Sequence, residues 1–134
     1  MFEQDYLMRL IMDFVAGIHR SMERAEGEGD PAGAARMLES AVGNAVDLDG
    51  DALLSLAPES IAAVMQVSGC DPAVTEYVAR SLMLAATYYN QAGNADLAEL
   101  RASQARAVAR AWGHPDPGVG LSAQDMRAFL GADD

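Results

Sequence analysis

Lysine is absent from this chain, whose nine basic residues are all arginine. That removes the chemistries that need an ammonium group, among them a Walker-type phosphate loop, a Schiff-base enzyme and a β3-lysine kinase. Cysteine occurs once, at Cys70, and histidine twice, at His19 and His114. A lone cysteine excludes an intrachain disulfide, and these three residues leave a Cys/His zinc site short of ligands. Aromatic residues are 6% of the chain, and no strand-like run of Ile, Val, Thr and aromatics occurs. The most apolar stretch, Leu7 to Ile18, is interrupted by Arg9 and Asp13 and is too short to span a bilayer. Glu3 and Asp5 stand where a secretory signal would carry positive charge. A cytoplasmic protein with no membrane partner is the expectation, and a single thiol fits a reducing compartment.

Positive charge is scarce as well. Twenty acidic residues against nine arginines give a formal charge of −11. Such a chain repels phosphate backbones and anionic lipid. The arginines are spread along it with acids nearby, so no nucleic-acid partner is expected.

What is present points to helices. Half of the 134 residues are apolar, enough for one domain covering residues 1–134. Ala, Leu and Met, which dominate that half, are strong helix formers. Leu7, Ile11, Phe14, Ile18 and Met22 form one face of a first helix reaching about Glu26. Met8, Met12 and Val15 widen its apolar arc, so the helix must be covered within the fold or by another subunit. Asp5–Arg9 and His19–Glu23 have the spacing of exposed helical pairs. Asp30-Pro31 and Asp71-Pro72 read as a cap followed by a first-turn proline.

The second helix runs to about Val46 with Ala34, Leu38, Ala41 and Ala45 on one face. Asp51 is expected to cap a short turn carrying Leu53, Leu54 and Leu56. A helix from Pro58 should face Ile61, Val64 and Met65 inward and stop at Gly69. A long helix from Pro72 should stop at Gly93, and the next should run from Ala95 to Ala111. Gly113 to Gly118 forms a turn-rich linker, and Ser122 caps a last helix holding Met126, Phe129 and Leu130. The organisation is an N-terminal helical region (1–69), a helical hairpin (71–112) and a linker with a short helix (113–134).

Leu82, Ala86, Tyr89, Gly93, Ala98 and Ala105 have the spacing of one tetratricopeptide repeat, and residues 79–112 resemble such a unit. Large residues usual in the family are replaced by Ala85, Ala95 and Ala102. The fold class is therefore all-α: an irregular helical bundle or α-hairpin array with one tetratricopeptide-repeat-like helix pair. The resemblance implies that Arg80, Met83, Thr87 and Asn90, on the complementary line of the first hairpin helix, face a concave peptide groove. A guanidinium suits a carboxylate and an amide suits a peptide backbone. The N-terminal pattern Phe2-x-x-Asp5-Tyr6-x-Met8-Arg9-x-Ile11 resembles the opening of a family of small bacterial proteins classed as a domain of unknown function. That resemblance implies a helical bacterial cytoplasmic protein and supplies no activity.

Catalytic signals are weak. Asp47, Asp49 and Asp51 begin a calcium-loop spacing, but Ala52 and Pro58 stand where it needs Gly and Glu, so capping explains them better. Cys70 precedes a helix start, where a thiol can be activated, yet no base is patterned beside it, and packing is the plainer reading. No enzyme activity and no cofactor or metal is expected. The expected function is a non-catalytic protein-interaction or self-association module. Its partner would be another protein or its own copy as a homo-oligomer, the latter through Leu7, Met8 and Met12. The alternative is a small-molecule sensor or rare enzyme with a pocket between helices rich in the eight methionines.

Overall fold

Local chemistry starts and stops the helices. The computed structural model describes residues 2–131, so Met1 and residues 132–134 of the expected domain lie outside the described residues. The helices are α1 (Phe2–Gly27), α2 (Pro31–Val46), α3 (Gly50–Leu54), α4 (Pro58–Val67), α5 (Pro72–Gln91), α6 (Ala95–Ala111) and α7 (Ala123–Gly131). No strand occurs among the described residues, so the fold is all-α. None of these helices is long and apolar enough to cross a membrane.

The caps are made by the residues that signalled them. Asp30 accepts a hydrogen bond from the Gly33 amide at 2.9 Å, Asp71 from Ala73 at 2.8 Å and Asn94 from Leu97 at 3.2 Å. Ser122 and Asp125 cap α7 reciprocally, each side chain accepting from the other's backbone amide. Gly93 ends the first hairpin helix at φ +84, a conformation glycine adopts without steric cost. The α3 cap is a correction. Asp49, not Asp51, accepts the first-turn bond, from the Asp51 amide at 3.1 Å. Asp47 sits at φ 57 as the left-handed C-cap of α2 and leaves room for only one residue before Asp49.

One apolar cluster draws on all seven helices. α5 is its axis: thirteen of its twenty residues are buried, on every side of the helix. α2 lies along α5, α4 lies on α6, and α1 packs mainly on α2. The N-terminal helices thus supply the contacts that one hairpin lacks. Gly43 permits α3 to fold back on α2, because a Cβ there would stand 3.0 Å from the Gly50 Cα. Ile61 and Met65 of α4 are fully buried as expected, whereas Val64 is 38% exposed and lies on the rim.

The caps set an acid limb. The bond from Gly33, followed by the bond from Arg24, holds the Asp30 carboxyl below its ordinary 3.8. Bonds from the Ser122 backbone and side chain hold Asp125 below it as well. A depressed folded value makes the stabilisation complete above 3.8, and it is lost as pH falls through the folded values. Circular dichroism during acid titration should show helix loss below pH 3.8, smaller in an Asp30→Asn/Asp125→Asn variant. Identical acid limbs in the two proteins would refute the assignment.

Candidate functional site

The four residues expected to face a peptide groove do not share an open surface. Met83 is fully buried. The Thr87 hydroxyl donates to the Leu121 carbonyl at 2.6 Å. Arg80 pairs with Glu76 at 3.6 Å, and its guanidinium carbon stands 4.0 Å from the centroid of the Phe129 ring. Asn90 alone is exposed. The chain's own C-terminal segment covers the stripe: Pro117, Leu121, Met126 and Leu130 are buried, and Phe129 is half-buried. Phe129 also meets Tyr77 edge-on at 5.3 Å. The physical reason is that α5 is apolar on more than one face, and α7 needs somewhere to bury its own apolar residues.

The expected self-association residues divide. Leu7 is half-buried against the core, while Met8 and Met12 are 59% and 65% exposed. Leu7 points toward the fold because it stands on the same side of α1 as Phe14 and Ile18. The exposed pairs Asp5–Arg9 and His19–Glu23 do not close to ion pairs among the described residues, in keeping with the small gain such contacts offer in water.

Cys70 is half-buried, and desolvation pushes its thiol up, away from the reactive thiolate. The His114 Nε2 stands 2.9 Å from the Thr75 hydroxyl and 3.1 Å from the Pro72 carbonyl, pinning the linker to the start of α5. Of the methionines, Met22, Met65, Met83 and Met126 fill the core, while Met37 lines a groove between α1 and α2.

Two constellations escaped the sequence reading. The first is a buried polar network. Arg101 Nε donates to Glu39 at 2.7 Å, and its terminal nitrogen donates to the Leu54 carbonyl at 2.8 Å and to Gln104 at 3.0 Å. Gln104 donates in turn to the carbonyls of Leu54 and Leu56. The Tyr89 hydroxyl donates to Glu39 at 2.9 Å. Burial, with that bond to Glu39, pushes the Tyr89 phenol up to about 12, so it stays neutral at physiological pH. The network ties α2, α3, α5 and α6 together.

The second constellation is a groove of about 670 Å³ between α1 and α2, whose lining includes Arg20, Arg24 and Arg36. The helices approach closely beside it, since a Cβ on Gly17 would meet that of Ala41 at 3.1 Å. Arg24 is engaged, its Nε bonded to Asp30 at 2.9 Å. Arg20 and Arg36 are exposed and form no ion pair among the described residues. Arginines that look evenly spread along the sequence are gathered here by the α1–α2 hairpin. Only the four-residue spacing of Arg20 and Arg24 was visible beforehand. Comparisons with protein-family models, curated proteins and solved structures find no match for this chain.

Proposed function

We propose that the protein is a non-catalytic interaction module that associates with a second copy of itself through the N-terminal half of α1. The observation that carries this reading is the exposure of Met8 and Met12, 59% and 65%. They stand one helical turn apart, with half-buried Ile11 and Val15 beside them. Further along the same helix Phe14, Ile18 and Met22 lie in the core, so the apolar arc runs past what the fold covers. Unbranched thioethers adapt readily to a facing surface, and an exposed apolar patch of this kind marks an interaction face.

The polar rim suits an identical partner. Asp5, Arg9, His19 and Glu23 rim the stripe with both signs. An antiparallel copy centred on Met12 sets Met8 opposite Ala16 and Asp5 opposite His19, a self-complementary two-fold arrangement. The α5–α6 pair supports the repeat-like reading through its buried Leu82, Ala86, Tyr89, Ala98 and Ala105. The stripe of that pair expected to face a peptide is covered by the C-terminal segment, which favours α1 as the contact. The packed Cys70 and the engaged His114 support a role without catalysis.

Analytical ultracentrifugation tests the proposal. The wild-type chain should be dimeric at micromolar concentration, and Met8→Glu/Met12→Glu should be monomeric with unchanged helical content. Both positions face solvent, so the substitutions carry little folding risk. A monomeric wild type, or a variant that still dimerises, would refute self-association through this face.

A further inference from the structure

We infer that the groove between α1 and α2 is a binding site for a small phosphate-bearing molecule. A chain of net charge −11 repels anions over most of its surface, so a local gathering of guanidinium groups runs against its overall composition. Three of the nine arginines line this one groove. Most of the other arginines have acidic partners: Arg80 with Glu76, Arg101 with Glu39, Arg106 with Asp116 and Arg127 with Glu26. Arg20 and Arg36 close no ion pair among the described residues, Asp30 acting on Arg36 only at longer range, and both stand exposed on the two facing helices.

The rest of the lining fits the same class of ligand. Asp30 is bonded to Arg24 and attracts Arg36 only at longer range, so the guanidiniums of Arg20 and Arg36 keep their hydrogen-bond donors available to one dianionic group. Guanidinium forks match the oxygens of a phosphate in paired, charge-assisted bonds. Ser40 and Asn44 continue along α2 from Arg36 and offer neutral hydrogen-bonding groups. Across from them, Leu10 and Phe14 give that end of the groove an apolar wall. A phosphate at the arginine end with a small organic body toward Leu10 satisfies both halves. Asp13, at the Leu10 end, disfavours a second anionic group there.

This site lies on another side of α1 from Met8 and Met12, roughly a third of a turn away by helical geometry, so it is independent of self-association. Calorimetric titration of the full chain with pyrophosphate and phenyl phosphate, at constant ionic strength, provides the test. Saturable binding at millimolar concentration or tighter is expected, with the melting temperature raised by ligand. Arg20→Gln and Arg36→Gln should each weaken it by about tenfold, while Arg110→Gln on α6 should leave it unchanged. Citrate should bind more weakly than either phosphate. Absence of saturable binding, binding untouched by the two groove variants, equal loss in Arg110→Gln, or stronger binding of citrate would each overturn the assignment. Arg20 and Arg36 are exposed and close no ion pair among the described residues, so these variants should fold as wild type, which their circular dichroism will verify.

Discussion

Arg101→Ala should lower the stability of the fold by about 3–5 kcal/mol, the scale found when one member of a buried ion pair is removed. In a chain of this size that corresponds to a fall in melting temperature on the order of 10–20 °C. Little of the effect comes from lost apolar contact. The Arg101 and Glu39 side chains are 8% and 16% exposed, so the truncation strands a carboxylate with poor access to water. Tyr89 still donates to Glu39, but one neutral phenol does not replace a guanidinium. The Leu54 carbonyl keeps its bond from Gln104, whereas the Gln104 carbonyl loses Arg101.

Arg101→Lys should recover only part of the loss. An ammonium on a flexible stem does not reproduce the fork that reaches Glu39, Leu54 and Gln104 together. Removing both charges in Arg101→Met/Glu39→Met should recover more, because apolar replacement of a buried pair is often close to neutral. Chemical denaturation of the four proteins of that cycle gives the coupling directly. A single-variant cost below about 1 kcal/mol, typical of exposed pairs, would mean the network is solvated and contributes nothing special.

The same network shows where sequence reading ends. Helix boundaries were legible because their chemistry is local: Asp30 caps an amide three residues on, and Gly93 stops α5 two residues after its last turn. The sequence points to Asp51 and the structure uses Asp49 as the α3 cap, because acids two apart offer the same signal and only the path of the chain after Asp47 chooses between them. Arg101 and Gln104 lie among alanines on α6, and nothing within a few residues says they are buried. Their acceptors come from Glu39, Leu54 and Leu56, 47 to 62 positions away. Met8 and Met12 posed a different difficulty. Periodicity showed that α1 is apolar over a wide arc, but how far that arc is covered depends on where α2 and α5 lie. Arg20 and Arg36 became neighbours for the same reason, through the pairing of α1 with α2.

Met126→Asp should release α7 while leaving α1 to α6 folded. Met126 is fully buried, and an unpaired carboxylate at such a position costs several kcal/mol. That exceeds what holds a nine-residue helix whose other attachments are few: Leu130, the Phe129 ring between Tyr77 and Arg80, and the exposed contact of Arg127 with Glu26. Terminal segments with so few buried contacts open below the global unfolding free energy. The substitution therefore costs the chain the docking of α7 rather than its fold. Met126→Leu conserves apolar volume and should cost less than about 1.5 kcal/mol. Hydrogen exchange separates the outcomes. In Met126→Asp the amides of residues 123–131 should exchange as in an unfolded peptide, while those of residues 76–90 in α5 keep most of their protection. Retained protection of residues 123–131 would show that the segment is not held by Met126, and collapse of protection throughout would show α7 to be integral to the core. Release of α7 alone would free Arg80 from the Phe129 ring, while the Thr87 bond to Leu121, which precedes α7, would remain.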